Sequence, residues 1–179
     1  MRTFTKQAEI TPSVVTDREE YYETPWGVGR LLLAGGMPLA HDLPQATRRA
    51  PGGADAPPSE WSRLLERYFA GEAVAFAVDV AAFARAYGCT TFETAVLKAL
   101  AAVPYGQVVS YRDLAVAAGY PNAYRAVGSV MARNRLPVIL PCHRVIRNDG
   151  RLGDYGDDPA WKARLLSLEG YAPQEVSRT

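Results

Sequence analysis

A chain of 179 residues, 48% of them hydrophobic, can bury a real core, so it accommodates one domain or two small ones that share an interface. No apolar run approaches the ~18 residues of a membrane helix, the first residues lack a signal-peptide core, and a net charge of +1 supplies no global field toward nucleic acid. Cys89, Cys142, His41 and His143 are the only cysteines and histidines, which excludes a disulfide framework and a structural zinc site; a soluble protein kept in the cytoplasm is expected.

In chain order, "YYETPWGVGRLLLAGGMPLAHDLP" carries two turn signals, Pro25-Trp26-Gly27 and Gly35-Gly36, between β-prone runs, which predicts a small antiparallel meander. His41, just beyond the Gly-Gly turn, reads as a surface histidine. Residues 50–58, "APGGADAPP", hold neither helix nor ladder and predict a loop. "PSEWSRLLERYFAGE" predicts a helix capped by Ser59, with Trp61, Leu64, Leu65 and Tyr68 on one face and Gly71 closing it. "AVAFAVDV" predicts a short strand, ending an α+β unit near Gly88. Cys89 has no motif around it and reads as a structural thiol.

The second half is mostly helical. Phe92, Val96, Leu100 and Val103 fall at helical spacing, and Pro104-Tyr105-Gly106 ends that helix. "QVVSY" is a brief extended piece. Ser110 and Asp113 then form a capping signal for the helix "YRDLAVAA", which stops at Gly119; Pro121-Asn122 opens "AYRAVGSVMARN". Two short helices joined by a tight turn make a helix-turn-helix, a unit that either binds DNA or is merely structural. With Val127, Val130 and Met131 buried, Arg125 lies on the opposite side at ~100° per residue, sharing its face with Gly128, Ser129 and Ala132. Such a face can approach a groove wall, or can pack on another helix. Between Pro104 and Tyr155 stand seven arginines and three aspartates, a basic segment that suits phosphates or a solvated face.

The stretch "LPVILPCHRVIRNDG" sets a cysteine beside a histidine after a proline. A thiolate is the nucleophile, and an adjacent base can take the thiol proton. In an extended strand Cys142 and His143 would point to opposite faces, so a relayed contact through water is expected. His143 would also need an acceptor to fix its tautomer, and Glu169, ending the helix "PAWKARLLSLEG" with Trp161, Leu165 and Leu168 on its buried side, is a candidate. The alternative for Cys142 is a small buried hydrophobe.

"PCHRVI" at 141–146, "YRAVGSVMARN" at 124–134 and "VSYRDLA" at 109–115, in this order between Thr91 and Gly170, resemble the O6-alkylguanine-DNA alkyltransferases, the methylated-DNA–protein-cysteine methyltransferases. The resemblance implies an α+β fold: a small N-terminal α/β domain with an antiparallel sheet (1–88), a mostly helical, winged-helix-like C-terminal domain containing the helix-turn-helix (89–171), and a tail (172–179). It implies that Cys142 takes an alkyl group from guanine O6, and by extension thymine O4, irreversibly, once per molecule. His143 would act as base through water, Glu169 would orient it, Tyr111 would protonate guanine N3, and Asn134 would brace the site. Arg125 would fill the duplex gap left by the flipped nucleotide. Tyr111, Arg112, Tyr120, Gly128, Ser129 and Asn148 would meet DNA from the minor groove, and Val145, Tyr155 and Gly156 would hold the base. The expected partner is double-stranded DNA containing O6-alkylguanine, bound by a monomer; no metal, organic cofactor or membrane is needed. Competing expectations are a non-enzymatic module that recognises alkylated DNA, whose family branch lacks the cysteine, and a Cys-His hydrolase. Departures from the family pattern are Arg135 directly after Asn134, with proline delayed to Pro137, and Asp154, Asp157 and Asp158 near the site.

Overall fold

The computed structural model describes residues 15–51, 57–153, 155–156, 158 and 160–172. The expectations for the interior of the 50–58 loop, for the tail beyond Ala172, and for Asp154 and Asp157 lie outside these residues.

Strands β1 (Arg18–Thr24), β2 (Gly27–Ala34) and β3 (Met37–Gln45) form an antiparallel sheet in sequence order. Gly35 and Gly36 take φ values of +56° and +77°, the pair of left-handed residues that a two-residue hairpin turn matched to strand twist requires. Alternation then works as the meander predicts: Tyr22, Leu31, Leu33 and Leu39 face inward, almost wholly buried. Gly29 faces Tyr22, and a Cβ there would stand 2.0 Å from the phenol ring, so only glycine lets that tyrosine lie across the sheet.

Helix α1 (Glu60–Phe69) covers the sheet. Ser59 caps it as expected, accepting from Ser62 N, and buried Glu20 of β1 accepts from the Ser59 amide and hydroxyl, tying sheet to helix. The strand expected over 73–80 does not form. Val74, Phe76 and Val78 do turn inward, but the segment joins neither sheet; Asp79 instead caps helix α2 (Val80–Ala86) through the Ala82 amide. Thr90 and Glu93 form a reciprocal capping box at the start of α3 (Thr91–Ala101).

The remaining elements are β4 (Val109–Ser110), α4 (Tyr111–Ala117), α5 (Tyr124–Ala132), β5 (Val145–Ile146) and α6 (Ala160–Leu168), with β4 and β5 pairing in parallel. Ser110 caps α4 by accepting from Asp113 N. Gly119, at φ +84°, turns the chain into the short connection to α5. Val127, Val130 and Met131 are buried, and Arg125 and Ser129 are exposed, as the helical spacing predicts. A continuous apolar cluster joins both halves, from Tyr22 and Leu31 through Leu65 and Tyr68 to Leu100, Leu140 and Leu165. At roughly 1.5–3 kcal/mol per buried large side chain, this shared core fixes where the second half presents its site.

Candidate active site

Cys142 lies where three segments converge. It begins a single 3-10 turn, Cys142–Arg144, and not the extended strand expected from the sequence. Pro141 precedes it, and the Arg144 amide donates to the Pro141 carbonyl at 2.9 Å. Asn134, just beyond α5, donates through Nδ2 to the Leu140 carbonyl at 2.8 Å and to Cys142 Sγ at 3.0 Å, while its Oδ1 accepts from Leu136 N. The helix that carries Arg125 is thereby linked to Cys142 by one amide side chain. On the other side the Tyr155 hydroxyl stands 3.8 Å from Sγ.

Next in the turn, His143 is fully buried. Its Nε2 is 2.7 Å from Glu169 Oε1, so Nε2 carries the proton and donates it to the carboxylate. The basic lone pair is then on Nδ1, which is buried and has no protein partner. Glu169 is held by the end of α6: Gly170 at φ +79° places its amide on the Ser167 carbonyl and that of Tyr171 on Leu166, a Schellman ending. The sequence reading of Glu169 as the group that meets His143 therefore matches the geometry.

Three further residues that sequence reasoning did not assign complete this cluster. Arg144, counted above in a basic face, is buried and forks onto Glu169, Nε to Oε2 at 2.9 Å and Nη2 to Oε1 at 2.9 Å, while Nη1 donates to the Val103 carbonyl. Tyr68 reaches in from α1 and donates to Glu169 Oε1 at 2.7 Å. Lys162, on α6, is 1% exposed; its Nζ donates to the Val145 carbonyl at 2.6 Å and lies 5.8 Å over the Tyr111 ring. The signal for Lys162 was available, since it falls at helical spacing between Trp161 and Leu165, but a lysine in an amphipathic pattern reads as solvent-facing.

The electrostatics follow from this packing. Burial pushes the Cys142 thiol up, and hydrogen bonds from Asn134 and Tyr155 and the Lys162 charge oppose that rise. Burial likewise pushes His143 down, against the pull of Glu169, so the imidazole stays neutral and able to accept a proton. Burial alone would raise the Glu169 carboxyl, but the bonds from His143 and Arg144 prevail and bring it to about 2. Lys162→Met is expected to shift the pH–rate profile for Cys142 alkylation to higher pH, because the cation that favours the thiolate is gone; titration of iodoacetamide reactivity checks this.

Tyr111 begins α4 next to this centre, 4.0 Å from where a Gly128 Cβ would stand, with its hydroxyl 3.8 Å from a Cβ on Gly153. Val145 is buried, Tyr155 half-buried and Gly156 exposed. Arg112, Tyr120, Arg125, Ser129 and Asn148 are exposed and Gly128 is half-buried. Among the arginines of the basic segment, Arg133 pairs with Glu93, Arg151 with Asp149, Arg135 stacks on Tyr87 and Arg125 lies over Tyr124, while Arg112, Arg125 and Arg147 are exposed. His41 is not on the surface: it is 3% exposed and bonded to Tyr22 and Pro137. Cys89 is half-buried, its thiol pushed up by burial.

The fold and the cluster are those of a protein that holds a buried thiol and a carboxylate-paired imidazole in one turn, behind an exposed two-helix unit. A family model described as "6-O-methylguanine DNA methyltransferase, DNA binding domain" matches residues 91–171. The methylated-DNA–protein-cysteine methyltransferase of Methanosarcina barkeri is 43% identical over 110 residues, 62% of this chain and 66% of that protein. The constitutive enzyme of Bacillus subtilis is 40% identical over 118 residues, 65% of this chain and 68% of that protein. Among solved structures, Mycobacterium tuberculosis OGT in complex with DNA superposes with a TM-score of 0.67 at 32% identity, covering 87% of this chain and 94% of that one. This chain belongs to the methylated-DNA–protein-cysteine methyltransferase family.

Proposed function

We propose that this protein repairs duplex DNA by moving an alkyl group from guanine O6, or thymine O4, to Cys142 Sγ, once per molecule. The single observation that carries this reading is the hydrogen-bonded series Asn134–Cys142 and His143–Glu169–Arg144 in one buried centre. Neutral His143 takes the thiol proton at Nδ1 through a bridging water. Sγ attacks the alkyl carbon; the C–S bond forms as the C–O6 bond breaks, and Tyr111 supplies a proton to guanine N3 as the base leaves. A thioether is stable, so the cysteine is not regenerated, and the chemistry needs neither metal nor organic cofactor.

Cys142 is 6% exposed, so a base inside the stack cannot meet it; the nucleotide must be extruded, at a few kcal/mol. Val145, Tyr155 and Gly156 receive the base. Arg125 enters the gap, and the small residues Gly128 and Ser129 let α5 approach a minor groove ~6 Å wide. Arg112, Tyr120 and Asn148 sit on the exposed side for phosphates. In this reading residues 89–171 carry the chemistry and DNA contact, residues 1–88 support them, and the protein works as a monomer in the cytoplasm. Among the described residues no helix is long and apolar enough to cross a membrane. The non-enzymatic reading is disfavoured because the cysteine is present, with His143 in the same turn, paired with Glu169, to support it.

The experiment is to mix the protein with duplex DNA carrying O6-methylguanine and weigh the intact protein. One methyl group mapped to Cys142, at a one-to-one limit, is expected; tight binding with unchanged mass would leave the recognition-module reading. Arg125→Ala should slow repair of the duplex on the order of tenfold or more while leaving transfer from free O6-benzylguanine nearly unchanged. Equal slowing on both substrates would remove Arg125 from the gap.

A further inference from the structure

Val138 is the one described non-glycine residue with a positive φ, +73°, and it is a buried, β-branched residue. Left-handed backbone is costly for any L-residue and more so for valine, so it persists only where the surroundings over-determine it. The segment that contains it, 134–141, sets the nucleophile: Leu140 N donates to the Leu136 carbonyl at 2.7 Å, and Asn134 bonds both the Leu140 carbonyl and Cys142 Sγ.

The φ of Val138 and the direction of the Pro137 carbonyl belong to the same peptide unit. If that unit rotated, the carbonyl would turn away and Val138 could relax to negative φ. What holds the carbonyl is His41. From β3 in the first half of the chain, its Nδ1 lies 2.5 Å from the Pro137 oxygen, and its backbone amide donates to the Arg135 carbonyl at 2.9 Å. A carbonyl can only accept, so Nδ1 carries the proton; Nε2 then accepts from the Tyr22 hydroxyl, whose place is kept by Gly29. Two further contacts join the same surfaces: the Tyr87 hydroxyl donates to the Leu39 carbonyl at 2.8 Å, and the Arg135 guanidinium stacks 4.5 Å over the Tyr87 ring. Burial holds His41 down at about 4, against Pro137 and Asp42 and alongside Arg48, so this neutral tautomer is the working form at neutral pH.

We propose that His41 is a positioning residue for alkyl transfer: by fastening the Pro137 carbonyl it locks the left-handed turn at Val138 and, through Asn134, the placement of Cys142. The first half of the chain is thereby part of the reactive apparatus. The inference rests on the alkyl-transfer reading above, but its geometric half does not.

Two substitutions separate positioning from mere support. His41→Asn keeps a donor where Nδ1 stood and loses the Tyr22 bond; His41→Gln reaches Tyr22 and loses the donor to Pro137. Both lower stability. Single-turnover transfer from free O6-benzylguanine, together with amide hydrogen exchange at Leu140 and Cys142, is measured for both. Expected is a first-order transfer step about tenfold slower in His41→Gln at unchanged half-saturation, with near-normal transfer in His41→Asn, and faster exchange of the two amides in His41→Gln alone. Equal rates and equal exchange in the two variants would overturn the proposal. A wild-type protein that takes no alkyl group would defeat the transfer reading, while the exchange difference would still decide whether the latch exists.

Discussion

Replacing Cys142 with serine is expected to eliminate alkyl acceptance. The substitution is nearly isosteric, and the Asn134 amide that donates to Sγ can donate to a hydroxyl as well, so the 3-10 turn and its surroundings persist. What fails is ionisation. Burial already pushes the Cys142 thiol up, and it is usable only because a thiol starts within reach of an imidazole. A serine hydroxyl starts far higher, and neutral His143, itself held down by burial, cannot take its proton to a useful extent. The expected loss is at least about 10³-fold, by analogy with removal of an enzyme's nucleophile. Affinity for alkylated duplex should stay within about twofold, since the exposed face of α5 is untouched. Intact-protein mass and fluorescence anisotropy check the two halves. A serine variant that still clears the lesion would end the covalent mechanism.

Glu169→Gln should be the most destabilising conservative change at the site. The carboxylate accepts from His143, Arg144, Tyr68 and Gly106 N at once, and its side chain is fully buried. An amide supplies one acceptor and turns a donor toward Arg144, leaving a buried guanidinium without its counter-charge. Breaking one partner of a buried pair costs about 3–5 kcal/mol. For a chain of this size that corresponds to a Tm lower by roughly 10 °C. Transfer slows as well, because a neutral amide oxygen holds the His143 proton on Nε2, and so its lone pair on Nδ1, less firmly than the carboxylate does.

The same residue governs acid stability. An unfolded glutamate ionises near ~4.3, and in the fold Glu169 ionises at about 2. A depressed carboxyl contributes stability above the unfolded value and loses it as pH falls toward the folded one. The contribution is about 3 kcal/mol, given 1.36 kcal/mol per unit. Wild type should therefore weaken between about pH 4.5 and pH 2, and Glu169→Gln should show a flatter stability curve across that window. Urea unfolding at stepped pH values measures it; parallel curves for the two proteins would mean that another carboxylate dominates.

Much of this architecture is local in origin, and local features are legible in a sequence. Ser59 caps α1, Ser110 caps α4, the Gly35-Gly36 turn joins two strands, and the burial of Val127, Val130 and Met131 leaves Arg125 exposed, each through interactions among residues a few positions apart. The order of the motifs around Cys142 is likewise a property of the chain alone. It was sufficient to relate the protein to its family and to bring Asn134, His143 and Glu169 into consideration together.

The tertiary structure decided whatever depends on a distant partner. Residues 73–79 have the apolar alternation of a strand and turn Val74, Phe76 and Val78 inward, yet they pair with no strand of either sheet, and alternation without a partner makes no ladder. Arg144 reads as a surface cation until Glu169, 25 residues on, folds beside it. Tyr68 and His41 meet the reactive segment from elements 75 and 96 residues away in sequence, and nothing near either of them announces it. Periodicity reports which side of an element is buried. Which polar atom meets which across that buried side is set by how the elements dock, and in this protein the docking brings His143 onto Glu169 and sets Asn134 and the His41-held segment around Cys142.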